Sequence, residues 1–131
     1  MNKLFLQFAA VTGALAVMGG ALLAHRLKQI MPEAATQVYE TAVRFQFYHV
    51  FALLACGILS EKFHGSAINR AGTFFILGIL LFCGSLYIIA ALMTNGIYIP
   101  IVLGMLTPLG GTAFMSGWIF LSLAVRNGRN S

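Results

Sequence analysis

The chain has 131 residues, of which 60% are hydrophobic and only 8% are charged. An ordinary soluble domain carries about 25% charged residues, and a small domain has a large surface to cover with them. The composition therefore excludes a soluble enzyme, a nucleic-acid-binding domain and a disordered segment. It predicts an integral membrane protein formed by a single all-α domain over residues 1–131.

The first half of the chain predicts two membrane-spanning helices. Residues 4–24 contain no charge, and 21 residues form a helix of about 31 Å, long enough to cross a bilayer. We expect this segment to stay in the membrane as a signal anchor. Pro32 suits the first turn of a helix, because the missing N–H would be unpaired there in any case. We therefore expect an interfacial helical segment over 32–41 that continues into a second span over 42–59.

The second half predicts two more spans. No charge occurs between Arg70 and Arg126, which leaves room for two spans joined by a tight turn. Thr94-Asn95-Gly96 is the turn-like cluster inside this stretch, since Asn and Gly tolerate positive φ. The spans should cover about 71–93 and 99–125. The sequence thus predicts a polytopic bundle of four transmembrane helices.

Lys and Arg near the helix ends predict the orientation in the membrane. Cytoplasmic loops carry an excess of these residues, so the end with more of them should face the cytoplasm. We therefore expect both termini in the cytoplasm and a multi-pass protein of the inner membrane. One end should hold five basic residues and the other three: Lys3, Lys62, Arg70, Arg126 and Arg129, against Arg26, Lys28 and Arg44.

Polar residues concentrate in the segment 39–49. At 100° per residue, Glu40 and Arg44 share one helix stripe and form an i, i+4 pair of opposite sign. Two interpretations are open: an interfacial ion pair whose Arg extends toward the headgroups, or a buried pair that fixes a ligand or another helix. Gln46 and His49 lie on the other side of the helix, among small residues, and should point into the bundle.

Histidine allows several roles. His49 either bonds a neighbouring helix, or serves as a proton carrier, a metal or haem ligand, or a quinone contact. His25 should end the first span at the same side of the membrane but nearer the surface. Two histidines without further ligands are a weak metal signal, so we predict no metal and no cofactor.

Small residues predict close contacts between the spans, and Ser85, Tyr87 and Thr107 can add hydrogen bonds across them. Cys56 and Cys83 lie within spans, where they should serve as apolar packing residues. The serines lack a His and an Asp placed as a triad, so nucleophilic catalysis has no support. The residues expected in helix packing are Gly19, Gly20, Gly84, Ser85, Gly110 and Gly111.

Several of these segments resemble the signatures of a small membrane family catalogued as domain of unknown function 423. The resemblance covers nearly the whole chain and implies a four-helix inner-membrane protein. It also implies that five residues in the family's motifs matter for function: His25, Glu40, Arg44, Gln46 and His49. Leu23 stands where the family's first motif usually has glycine. The similar segments are 19–28, 39–49, Gly84-Ser85-Leu86-Tyr87, Thr107-Pro108-Leu109-Gly110-Gly111 and Gly117-Trp118.

Three functional hypotheses follow. The first is a non-enzymatic bundle that binds a lipid-like ligand or supports an assembly, with membrane lipids and further copies of the chain as partners and no nucleic acid. The second is a small-solute or proton-coupled transporter that uses Glu40, Arg44 and His49. The third is a redox protein that holds a quinone or haem between His25 and His49.

Overall fold

A computed structural model describes residues 1–128, so Arg129, counted above among the cytoplasmic charges, lies outside the described residues. Within this part the chain forms four helices, each long and apolar enough to cross a membrane. They confirm the predicted all-α membrane fold, and no strand occurs between residues 1 and 128. The helices are α1 (Lys3–Ile30), α2 (Glu33–Leu59), α3 (Ser66–Thr94) and α4 (Ile101–Gly128).

Local chemistry sets the helix boundaries. The side chain of Asn2 accepts a hydrogen bond from the Phe5 amide at 3.2 Å, which caps the start of α1. Pro32 directly precedes α2, and residues 33–41 are continuous with the second span as one helix. Gly65 and Gly96 have φ of 142° and 65°, so glycine suits both turns that flank α3.

The four helices pack in chain order. α2 and α3 lie at the centre, with α1 against α2 and α4 against α3. The Met1 amino group lies 3.4 Å from the Glu61 carboxylate, and the Asn2 amide donates to the Gly57 carbonyl at 3.0 Å. Consecutive helices therefore run up and down. The most deeply buried large side chains are Phe75, Leu53 and Ile68.

Two helices contain a π-helical turn that the sequence did not predict. One covers Leu23–Leu27 near the end of α1, and the other covers Ile79–Cys83 in the middle of α3. Such turns insert an extra residue into the helical ladder and are frequent at functional sites. The turn in α3 lines the groove described below, and Leu27 of the turn in α1 lines the cavity next to it.

Candidate functional site

Gln46 joins three helices through its amide. Its Nε2 donates to the Thr12 carbonyl of α1 at 2.6 Å, and its Oε1 accepts from the Tyr87 hydroxyl of α3 at 2.6 Å. Tyr39, two turns earlier on α2, donates its hydroxyl to the Gly19 carbonyl at 3.0 Å. The rings of Tyr39 and Tyr87 meet edge to face with centroids 5.2 Å apart. This polar cluster lies at membrane depth, where water cannot satisfy such groups.

His49 is held inside the bundle with both ring nitrogens occupied. Nδ1 lies 2.7 Å from the Phe45 carbonyl, and the Trp118 indole Nε1 donates to Nε2 at 3.2 Å. An indole N–H can only donate and a carbonyl can only accept, so the ring is neutral with its proton on Nδ1. The ring also stacks on Phe114 with centroids 3.5 Å apart. His49 thus bonds a neighbouring helix, the first of the roles considered for it.

Glu40 and Arg44 lie on a different face from His49. Arg44 is exposed on the outside of the bundle, and its Nη2 lies 3.5 Å from the Thr41 hydroxyl. Between residues 1 and 128, one ion pair lies within 4.0 Å, and it joins the Met1 amino group to the Glu61 carboxylate at 3.4 Å. The predicted ion pair between Glu40 and Arg44 is not formed. Within one chain, Glu40 and Arg44 therefore do not lie together with His49 in a single transport site.

His25 and His49 are far apart along the membrane normal. The Val50 side chain lies beside Gly13, which places His49 level with the middle of α1. His25 is twelve residues further along α1, about 18 Å at a rise of 1.5 Å per residue. The structure therefore does not bring the two histidines together as a single haem or quinone site between them would require. No group of three or more His, Cys, Asp and Glu side chains within residues 1–128 is arranged to hold a metal ion.

The predicted packing residues differ in how closely a neighbouring helix approaches them. A methyl group added at Gly110 would overlap the Phe82 backbone, so α3 and α4 touch there. Ser85 and Thr107 join the same helices, with their hydroxyl oxygens 2.7 Å apart. Gly84 corrects the prediction, because a methyl group there would meet no atom within 4 Å. Gly19 and Gly20 face Tyr39 and Val43 of α2, and Gly111 faces the Phe82 ring at ordinary contact distance.

Gly84 opens onto a groove between α1 and α3. At one end of the bundle, the Phe5 ring of α1 packs so closely on Gly72 of α3 that an added methyl group would overlap it. Further along, the two helices leave a cavity of about 360 Å³ whose floor is α2. We call it the α1/α3 groove, lined among others by Met18, Gly19, Tyr39, Gln46, Ile79, Gly84 and Tyr87.

A second cavity lies next to the groove, toward the end of the bundle where α1 ends and α2 begins. Its volume is about 270 Å³, and Tyr39 and Tyr87 line both cavities. The remaining lining is largely apolar, with Thr94 and Asn95 at the rim. Volumes of this size, apolar walls and a few fixed polar groups are typical of small-molecule sites.

The sequence predicted a hydrogen bond between helices for Tyr87, but it did not predict those made by Thr12, Tyr39 and Trp118. Tyr and Trp are enriched at the membrane surface, where their polar ends are hydrated. Tyr87 and Trp118 lie well inside the predicted third and fourth spans. That depth was the available signal, since a buried hydroxyl or indole N–H needs a partner.

Comparison with known proteins finds relatives that all carry the same family name. The family model described as "Protein of unknown function (DUF423)" matches residues 19–111. The chain is 37% identical to the "UPF0382 membrane protein YwdK" of Bacillus subtilis, over 93% of this chain and 95% of the relative. It is 38% identical to "UPF0382 membrane protein SAB0533" of Staphylococcus aureus, over 93% and 94%.

A third relative carries the same family name. The chain is 34% identical to a "UPF0382 membrane protein" of Haemophilus influenzae, with 93% of both chains covered. No solved structure matches the chain significantly. With the four apolar helices, these matches show that the chain belongs to the DUF423 family of membrane proteins, whose function is unknown.

Proposed function

We propose that this protein is a non-enzymatic membrane protein that binds an amphipathic, lipid-like molecule in the α1/α3 groove. The observation that supports the proposal is a pair of neighbouring cavities, of about 360 and 270 Å³, that share Tyr39 and Tyr87 in their walls. A hydrocarbon chain fits the apolar walls, and a polar group fits beside the tyrosines. The π-helical turn of α3 lines the first of these cavities, and Leu27 of the turn in α1 lines the second.

The groove is complete within one chain, so the proposal does not depend on a second copy. Polar side chains at membrane depth are costly and tend to mark functional positions. Gln46 connects the floor of the groove to both walls, because it bonds Thr12 of α1 and Tyr87 of α3. The groove therefore has fixed walls, which lowers the entropic cost of binding.

Native mass spectrometry of gently solubilised protein tests the proposal. We expect a small molecule of reproducible mass on the wild type after incubation with a lipid extract of the host. Gly84→Leu should lose it, because the new side chain projects into the groove without displacing a helix. Gly104→Leu is the matched control, since Gly104 also lies in a helix with no atom within 4 Å of an added methyl group.

Two outcomes would refute the proposal. One is a wild type that carries no small molecule under these conditions. The other is a Gly84→Leu variant that retains the molecule as well as the Gly104→Leu control does. Circular dichroism should show that both variants keep the helix content of the wild type. The native mass spectra also give the number of protein copies per particle, and so test whether the protein forms a homo-oligomer.

We further propose that the membrane is the inner membrane and that both termini face the cytoplasm. Lys3, Lys62 and Arg126 lie toward one end of the bundle, while Arg26 and Lys28 lie toward the other. The positive-inside rule supports the first end as the cytoplasmic one. A reporter fused after the last residue, active only in the cytoplasm, should be active. Activity of a periplasm-specific reporter would contradict this orientation.

A further inference from the structure

We propose that the molecule in the α1/α3 groove presents a neutral hydrogen-bond donor, such as a hydroxyl group, to Tyr39 and Tyr87. This inference rests on the proposed function and adds the chemical class of the ligand. Its basis is the direction of the hydrogen bonds around the groove, which fixes what the protein can still accept or donate.

The hydroxyl of Tyr87 must act as a donor. The Thr12 carbonyl can only accept, so the group 2.6 Å from it is the amide nitrogen of Gln46. The other end of that amide is therefore the oxygen, which also only accepts. The Tyr87 hydroxyl, 2.6 Å away, must give its proton to that oxygen. What Tyr87 has left for a ligand is the lone pair of its own oxygen.

The other hydroxyls of the groove are committed in the same way. Tyr39 donates to the Gly19 carbonyl at 3.0 Å, and Thr94 donates to the Ala90 carbonyl at 2.8 Å. Thr12 donates to the Phe8 carbonyl at 2.7 Å. Because each partner is a carbonyl, none of these protons is available to a ligand. The hydroxyl groups of the groove thus present acceptors only.

The two tyrosine oxygens converge on one place. An added Cβ at Gly19 would lie 3.3 Å from the Tyr39 hydroxyl oxygen and 3.7 Å from that of Tyr87. A glycine at this position leaves both oxygens accessible from the groove. Gln46 also lines the groove, but only 5% of it is exposed. A ligand at this depth therefore meets two acceptors side by side.

This arrangement selects among lipid-like molecules. A quinone carbonyl, an ester or an ether offers only acceptors, which the tyrosine oxygens would leave unpaired. Rotation of the Tyr87 hydroxyl toward such a ligand would leave the buried Gln46 oxygen without a donor, which is costly. A hydroxyl or amide N–H pairs with the tyrosines and leaves the protein network intact. No acidic side chain lines either cavity, so a neutral donor fits better than an ammonium ion.

Two probes that differ in one group test this inference on the wild-type protein. Hexadecan-1-ol can donate a hydrogen bond, and 1-methoxyhexadecane cannot. Each is titrated into protein-containing micelles, and native mass spectrometry gives the bound fraction against mole fraction in the micelle. We expect the alcohol to bind about tenfold more tightly, the equivalent of one hydrogen bond worth about 1.4 kcal/mol. Gly84→Leu should abolish binding of both probes.

A second pair of variants links the preference to the tyrosines. Gly19→Ala places a methyl group over both hydroxyl oxygens and should reduce the preference for the alcohol to less than about twofold. Gly20→Ala, where the added group would meet only Val43 at 3.8 Å, should keep the preference.

Each result supports or refutes a defined statement. Equal affinity for both probes, or tighter binding of the ether, would refute the donor inference and leave the groove proposal standing. No binding of either probe to the wild type would refute the groove proposal as well.

Discussion

The Gln46 amide should contribute measurably to the stability of the bundle, because it joins α1, α2 and α3. Gln46→Leu keeps the volume but removes two hydrogen bonds of 2.6 Å each, one to Thr12 and one from Tyr87. Interhelical hydrogen bonds in membranes contribute about 0.6 kcal/mol on average and up to about 1.7 kcal/mol. With short geometry and little exposure, we expect a loss of about 2 kcal/mol.

The magnitude can be divided by a double-mutant cycle. Tyr87→Phe alone removes one of the two bonds and should cost about 1 kcal/mol. In the double variant the Gln46–Tyr87 bond is already lost, so its cost is not counted twice. We expect the double variant to lose about 2 kcal/mol, which corresponds to a coupling energy of about 1 kcal/mol.

Reversible unfolding in mixed micelles, with increasing dodecyl sulfate and far-ultraviolet circular dichroism as the signal, measures these free energies. Thr112→Val is the control, because Thr112 is exposed and donates only to the Leu109 carbonyl of its own helix at 2.7 Å. It should change stability by less than about 0.5 kcal/mol. If the losses at Gln46 and Tyr87 simply add, the bond between them does not stabilise the bundle and the reasoning fails.

Two further predictions concern the contact between α3 and α4 and the state of the buried histidine. Gly110→Ala should lower the free energy of unfolding by about 2 kcal/mol, because the methyl group would overlap the Phe82 backbone. Gly104→Ala, in open space, should instead raise it by up to about 1 kcal/mol, and equal effects in the same unfolding assay would contradict this. Nitrogen-15 NMR of His49 should show a proton on Nδ1 and none on Nε2, because Trp118 donates to Nε2. A proton on Nε2 would disprove the assigned tautomer.

The number of spans could be predicted from the sequence because hydrocarbon excludes charge. The charge-free run between Arg70 and Arg126 had to hold two helices, and Gly96 was the residue able to turn the chain between them. The inward side of α2 followed from the same physics. Polar groups such as Gln46 and His49 must find partners in the bundle, and small neighbours let another helix approach.

Helical periodicity could not decide which side chains actually meet. Glu40 and Arg44 have the spacing of an ion pair, yet Arg44 is exposed and lies nearest to the Thr41 hydroxyl. Spacing fixes where two side chains start, whereas their rotamers depend on solvation and on neighbours. Gly84 and Gly110 look alike in sequence for the same reason, since only the packing of the helices shows which one faces the Phe82 backbone.

The groove itself arises from the packing of three helices and has no local sequence signature. Phe5 and Gly72 bring α1 and α3 together at one end, and further along the Tyr39 and Tyr87 rings pack on each other beside Gly19 of α1. Each tyrosine is fixed by a hydrogen bond to a different partner, so the opening is part of the packed structure and not a defect in it. A bundle built only to fill space would place an apolar side chain at Gly84, where an added methyl group would meet no atom within 4 Å, whereas at Gly19 it would already lie 3.3 Å from the Tyr39 hydroxyl. The small residue at Gly84 therefore favours a bound molecule over a purely structural bundle, and the Gly84→Leu variant tests that interpretation.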